Sequence, residues 1–364
     1  MSNPTSTINH PSSYTPEPYY QPHDEEKPAQ RDPNTDGPFG GEENAEIRYR
    51  TLAWWQCGII MVAETISLGI LSLPSALAAL GLVPGVLIIL GVSMIATYTG
   101  YVIGQFKQRY PGVHSMADAG EILWGPIGRE VLGLAQLILM VFNMASHVLT
   151  FSVMLNTVTD HGTCSIVFGI CGMIVCFVGN IPRTLRDVSW MSWVSFASIF
   201  AAVLITMIAI AIQRPAAGHV HATTPTDLNH AFLAVTNIIF GYVGNFVYFS
   251  FISEMKAPSD YPKALYLLQT TDTSMYIVTS VVIYYYGGKS VTSPALGSAG
   301  PLISKIAYGI SIPTIVVAGV INGHVACKYI YVRIFRDTEH MHKRNLLSTG
   351  SWVLIAFILW LLPG

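Results

Sequence analysis

The stretch Glu64-Thr-Ile-Ser-Leu-Gly-Ile-Leu-Ser-Leu-Pro74 lies inside a long apolar run, yet it carries an acid, a threonine, two serines, a glycine and a proline. A segment built only to cross hydrocarbon would consist of Leu, Ile, Val and Ala. Pro74 removes an amide donor and disfavours helical geometry at Leu73. Gly69 admits conformations closed to other residues and lets a ligand approach the backbone. The spelling predicts a helix that opens near residues 67–73. In hydrocarbon each unpaired backbone group costs on the order of several kcal/mol, so such a break survives only where it lines a polar cavity or is buried in protein.

The composition around this stretch fixes the class. Of 364 residues, 51% are hydrophobic and 11% charged, with a mean hydropathy of +0.47. An ordinary soluble domain has about 25% charged residues. Repeated apolar runs of about 20 residues predict an all-α polytopic membrane protein. The alternating segments of ~10 residues that a membrane β-barrel needs are absent. A net charge of −2 gives no electrostatic case for a nucleic-acid partner. Cys57, Cys164, Cys171, Cys176 and Cys327 all lie in or beside apolar runs and read as small buried hydrophobes rather than disulfides or metal ligands.

Residues 1–48, rich in Pro, Ser, Asn, Gly and acid, read as a disordered tail, and without an apolar h-region they are no signal peptide. The membrane domain is expected over 49–362, with spans at about 53–80, 84–105, 131–156, 163–180, 188–212, 231–252, 274–288, 303–332 and 349–362. Lys and Arg fall on alternate connections: Arg48, Arg50, Lys107, Arg109, Arg129, Arg183, Arg186, Lys256, Lys263, Arg333, Arg336, Lys343 and Arg344 share one side. That bias puts the N-terminus in the cytoplasm, supports nine crossings, and makes Arg183 and Arg186 positive-inside anchors. The loop 213–230, with His219, His221 and His230, falls outside; it reads first as a polar loop, with pH sensing as the alternative. The chain stops at "LIAFILWLLPG", directly after the ninth span, which suggests C-terminal truncation.

A second interruption lies in the sixth span, "NIIFGYVGNFVYFSFISEM", with Gly241, Gly244 and Asn245 at its middle. Two glycines three apart also serve as a tight-packing face. Interruptions in spans one and six occupy the same position in two successive five-span blocks. That pattern points to inverted repeats with a binding site at the midplane. Broken helix ends offer N–H groups to an anionic moiety and carbonyls to a cation; a zwitterionic amino acid needs both.

"AETISLGILSLPSALAALGLVPG", followed by "YTGYVIGQFKQRYPGVHSMADAGEILWGPIGR", resembles the amino acid/auxin permease family, with the nearest likeness to fungal neutral amino acid permeases. "IFGYVGNFVYFSFISEMKAPSDYPKAL" is similar to that family's sixth helix and following loop, and the likeness covers about 50–362. The resemblance implies a LeuT-type five-plus-five inverted repeat, usually of eleven spans, importing amino acids by coupling to H⁺ or Na⁺. Here H⁺ is expected ahead of Na⁺, with no other cofactor and no metal, at the plasma membrane ahead of the vacuolar membrane. Set against the family pattern, the chain is expected to lack spans ten and eleven. That keeps open a transport-incompetent family member or a receptor-like amino acid-binding protein.

By resemblance to that fold, Ser67, Leu68, Gly69, Ile70 and Leu71 hold the substrate carboxylate through backbone N–H groups, and Phe240, Gly241, Tyr242, Val243 and Gly244 offer carbonyls to its amino group. The apolar and aromatic character of these stretches suits a neutral, bulky amino acid. Asn143 and Ser146 are polar candidates on span three, with interhelical hydrogen bonding as the alternative. The same fold places a cation site between spans one and eight, nominating the Ile66 and Gly69 carbonyls with Thr314 or Asn322. Glu64 is an intramembrane carboxylate and by default functional: a coupling group, or an acid solvated from the inner vestibule. His147 and His324 read as packed histidines, with proton relay as the alternative. Gly69→Leu is expected to abolish binding and Gly81→Leu to be mild. No nucleotide loop, catalytic triad or HExxH motif is present, so no enzyme is expected, and the partners are an amino acid and the lipid bilayer.

Overall fold

A computed structural model describes residues 37–362, apart from 41, 43, 44, 214–219 and 337 and the side chains of residues 68, 187 and 339. Most of the expected tail, with Arg214 and His219, lies outside the described residues. The helices are α1 (Trp54–Leu80), α2 (Leu82–Arg109), α3 (Met116–Thr159), α4 (Ser165–Gly179) and α5 (Leu185–Gln213). They continue with α6 (Leu228–Phe240), α7 (Tyr248–Ser253), α8 (Tyr261–Gly287), α9 (Pro301–Phe335) and α10 (Leu346–Leu361). Among the described residues five helices are long and apolar enough to cross a membrane, or six with the bent α1, while α4 and α10 are shorter apolar helices. No strand occurs among them; Leu52 and Met255 form an isolated bridge.

Burial separates a central from a peripheral layer. The apolar window of α9 is 78% buried and that of α2 only 22%, so α9 sits inside the bundle while α2 turns Leu87, Met94, Ile95 and Tyr98 outward. α9 packs along α5 and α3, and α1 packs along α8 and α6. Small residues let these axes approach: a Cβ on Gly58 would meet Leu267 at 2.8 Å, and one on Gly104 would meet the Tyr261 ring at 2.6 Å.

Three boundaries differ from those read in the sequence. Helix α3 extends back to Met116 through a kink at Gly125 (φ 68°), where Pro126 starts the long segment. Helix α8 covers Tyr261–Gly287 where hydropathy marks only 274–288, because its first half carries Gln269, Thr270, Thr271, Asp272 and Thr273. Gly81 joins α1 to α2 at φ 95°, and a Cβ there would meet Thr223 Cα at 2.6 Å. The loop 221–224 is hydrogen-bonded over that corner, Leu82 N donating to His221 O at 3.1 Å. Gly81→Leu is therefore not a mild change, contrary to the sequence-based expectation.

One end of the bundle is tightly tied. Arg183, expected as a positive-inside anchor, is buried at this end. It donates to Ser348 Oγ and Tyr331 Oη at 2.6 Å each and to Tyr49 Oη at 3.1 Å. Burial pushes the Tyr49 phenol above its ordinary range, against the opposing field of Arg183. Glu254 forms a buried ion pair with Lys328 and accepts from Leu185 N at 3.1 Å. Lys256 N donates to Leu52 O at 2.8 Å, so residues 47–52 close over this end. Phe39 and Ile47 are buried here, with Phe39 stacked on Tyr49 at 4.7 Å.

Candidate substrate and coupling site

The two interruptions found in the sequence meet in the structure. Helix α1 stays helical throughout but bends by 45° between Ser67 and Gly69. The expected opening at 67–73 is thus a bend. Hydroxyls support it: Ser72 Oγ donates to Gly69 O at 3.0 Å and Ser75 Oγ to Ser72 O at 2.7 Å, bonds typical of bent membrane helices. The sixth span does break. Helix α6 ends at Phe240, residues 241–244 form a turn, and a 3₁₀ segment, Asn245–Val247, leads into α7. The N–H groups of Tyr242 and Val243 bond three residues back, to Ile239 O at 2.9 Å and Phe240 O at 3.2 Å.

Gly69 packs directly on this turn. A Cβ on Gly69 would meet Gly241 Cα at 2.7 Å and Tyr276 Oη at 2.6 Å, so only glycine permits the approach. Tyr276 of α8 clasps both interrupted helices, its hydroxyl lying 3.0 Å from Thr65 O and 2.7 Å from Gly241 O. The turn is held from outside as well: Gln136 Nε2 donates to Phe246 O at 2.8 Å and Asn245 Nδ2 to Thr99 Oγ1 at 2.6 Å.

Glu64, Thr65, Ser67, Gly69, Asn143, His147, Phe240 and Val243 line one cavity of about 10 Å³, roughly room for a single water molecule. An amino acid cannot enter this arrangement without helix movement. Glu64 is buried and accepts from Asn322 Nδ2 at 3.4 Å and from Thr65 Oγ1 at 3.3 Å. Asn143 Nδ2 donates to Asn322 Oδ1 at 3.0 Å, which links α3, α9 and α1 in one polar chain. The Asn143 carbonyl can only accept, so His147 Nδ1 carries a proton toward it at 2.8 Å, and Nε2 pairs with Ser67 Oγ at 3.2 Å.

The other candidates are distributed as follows. Ile66, Ile70 and Leu71 are buried in the core beside the bend, and the Leu68 side chain lies outside the described residues. Tyr242 is buried and edge-on to Tyr276 at 5.1 Å, and Gly244 stands against Thr65 and Glu64. Phe240 is 39% exposed although it lines the cavity. Thr314 is spent on α5, where Ser195 Oγ donates to it at 3.4 Å, two turns of α9 or about 12 Å from Asn322. Ser146 bonds back to Phe142 O at 3.0 Å on its own helix, and His324 packs edge-on to Trp352 at 5.2 Å. Sequence reasoning missed Tyr276, Asp272 and Tyr248, all buried; the signal was the spacing of Gln269, Asp272, Tyr276 and Ser280 along one helical face.

A broken span packs on a bent one inside a bundle of apolar helices, and solved membrane transporters share this fold. The fold is similar to that of a Na⁺-coupled sialic acid symporter in a substrate-bound outward-open state (TM-score 0.58, 12% identity, 86% of this chain and 74% of that one). It also resembles a nucleobase-cation-symport-1 family transporter in a closed conformation with bromovinylhydantoin bound (TM-score 0.56, 14% identity, 89% and 74%). The chain belongs to the transmembrane amino acid transporter protein family, whose pattern matches residues 50–362. It is 39% identical over 303 residues to an N amino acid transport system protein of Neurospora crassa, covering 80% of this chain and 64% of that protein. A transmembrane transporter of Gibberella moniliformis is 35% identical over 324 residues (86% and 68%), and the amino acid transporter AVT1D of Arabidopsis thaliana 25% over 234 residues (62% and 42%). The chain thus spans 64–68% of the length of its fungal relatives.

Proposed function

We propose that the protein is a secondary active transporter that imports neutral aliphatic and aromatic amino acids with H⁺ at the plasma membrane, its N-terminus in the cytoplasm. The observation that carries this reading is the contact of Gly69 with Gly241, where both interruptions meet under the Tyr276 hydroxyl. In this reading the N–H groups of residues 67–71 receive the substrate carboxylate once the α1 bend opens. The carbonyls of 240–244 receive the ammonium, which competes with Tyr276 for Gly241 O. Glu64 and Asn322, with the Ile66 and Gly69 carbonyls, form the coupling region, and Thr314 joins them only after α9 has moved against α5. The apolar lining at Phe240 and Val243 favours uncharged side chains. The name and family of the fungal relatives support the amino acid part of the reading.

The Arg183, Glu254 and Lys328 contacts fall on the side that Lys and Arg placement marks as cytoplasmic. That end is closed here, and it must loosen to release substrate inward. The test is uptake of radiolabelled neutral amino acids in host cells lacking their own permeases, at two pH values and with or without Na⁺. We expect saturable uptake that collapses with a protonophore. Absence of uptake for every amino acid, with the protein at the membrane, refutes the reading.

A further inference from the structure

We propose that Asp272 of α8 is the proton-binding member of the coupling region around Glu64, and that its proton governs opening of the substrate cavity; this rests on the transporter reading above. Asp272 is fully buried, and neither carboxyl oxygen has a hydrogen-bond partner. Glu64, by contrast, holds two donors. An ionised carboxylate without donors or a cation is strongly disfavoured in such surroundings, and a bound proton removes its charge.

The placement ties it to the site. Asp272 and Tyr276 are four residues apart and share one face of α8. Gly58 packs at Ala264 and Gly69 at Tyr276, so α1 and α8 run in the same direction and Asp272 lies beside the α1 turn that carries Glu64 and Thr65. The two carboxyls are within Coulombic reach of each other. The titratable groups that face Asp272 are Glu64 on α1, Tyr242 in the turn, Tyr248 on α7 and Tyr276 on α8. α2 contributes the neutral Ser93, bonded to Thr273.

Such a cluster has two states. With a proton on Asp272 at most one of the two carboxyls, that of Glu64, carries a charge, and Tyr276 can clasp Thr65 O and Gly241 O. When the proton leaves to solution, two carboxylates face one another across α1 and α8, and like-charge repulsion works against the clasp. Proton binding from one side and release to the other would then alternate the closed and open arrangements. No other group gains or loses a proton in this scheme.

The test uses the purified protein in liposomes with an internal pH dye. Wild type should acidify the lumen when a neutral amino acid enters and should accumulate it under an inward proton gradient. Asp272→Asn should lose both while retaining counterflow of labelled substrate, and Asp272→Glu should restore proton entry. Proton entry with Asp272→Asn equal to wild type overturns the proposal, as does accumulation driven by Na⁺ and lost in that variant. If wild type shows no counterflow, the transporter reading fails on its own. The proton site is then judged by carbodiimide, which modifies buried protonated carboxyls. Labelling of Asp272 in wild type, mapped by mass spectrometry, supports the site. Labelling of Glu64 with Asp272 unmodified refutes it, and this arm also decides the matter if Asp272→Asn fails to fold.

Discussion

The two interrupted helices carry similar spelling and behave differently. Helix α1 has Gly69 and Pro74 yet remains one helix of 27 residues with a 45° bend. The sixth span has Gly241, Gly244 and Asn245 within five residues and separates into α6, a turn and α7. The difference lies in where the freed backbone groups find partners. In α1 the hydroxyls of Ser72 and Ser75 bond within the helix itself, so the bend is largely self-supported. In the sixth span the support comes from other helices: Gln136 on α3 reaches Phe246 O, and Tyr276 on α8 reaches Gly241 O. A break that depends on neighbouring helices can respond when those helices move, and a bend held by its own hydroxyls is stiffer. In this bundle the sixth span is therefore held by its neighbours, and the α1 bend by its own hydroxyls.

The largest expected effect comes from separating the two. Gly69→Leu places side-chain atoms where Gly241 Cα and Tyr276 Oη already stand at 2.7 and 2.6 Å from a Cβ. Neither the backbone of the turn nor the clasp can yield cheaply; overpacking costs typically about 1–3 kcal/mol and occasionally more. Uptake should be abolished, while Gly91→Ala on α2, where a Cβ meets nothing within 4 Å, should transport like wild type. Equal activity in the two variants, at equal surface expression, would break the claim that the interruptions form one site.

Tyr276→Phe acts on the turn more than on the bend. It leaves Thr65 O and Gly241 O without the hydroxyl, and an orphaned buried acceptor costs about 1–3 kcal/mol. We expect a lower melting temperature in detergent and an altered KM for the substrate, since the ammonium no longer has to displace the hydroxyl. A variant with unchanged melting and unchanged KM would show that the clasp does not hold the sixth span.

How much of this could be read from residues alone follows from the same physics. Glu64, Ser67, Gly69, Asn143, His147, Phe240 and Val243 were all singled out in the sequence, and the structure gathers them around one cavity. Glycine, a lone acid or an amide is out of place in hydrocarbon wherever it faces, so a sequence reveals it without knowledge of packing. Tyr276 and Asp272 escaped because "QTTDTS" looks like a polar helix end. Hydropathy cannot know that α1 and α2 enclose α8 and turn its polar face inward. The state of α1 escaped for another reason. Gly69 and Pro74 permit an opening, but the Ser72 and Ser75 hydroxyls, which lie in the same short stretch, decide that it is a bend.

Asn322→Ala is expected to have a smaller effect. It removes the amide that joins Asn143 to Glu64 and so cuts the link between α3, α9 and the bent helix. Interhelical hydrogen bonds in membranes average about 0.6 kcal/mol and reach about 1.7. Melting should fall slightly, and uptake should fall further than melting does, because Glu64 loses one of its two donors at the coupling region. A drop in melting larger than that of Tyr276→Phe would place the main support of the site on α9 instead of α8.

Ser75→Ala should have the smallest effect and probes the self-support of α1 most directly. The hydroxyl donates to Ser72 O at 2.7 Å beside the proline, and deleting it removes one back-bond. Alanine is the better helix former by a few tenths of a kcal/mol, which offsets part of that loss. With Ser72 Oγ still on Gly69 O, the net change should stay within about 0.5 kcal/mol, the range of substitutions that touch no critical feature. Uptake should change little, and Ser72→Ala combined with Ser75→Ala should cost more than the sum of the two, since each hydroxyl covers for the other at one bend. If Ser75→Ala alone destabilises as much as Tyr276→Phe, the bend has no reserve of its own. α1 would then depend on single contacts as the sixth span does, and the distinction between a self-supported bend and a neighbour-held break would disappear.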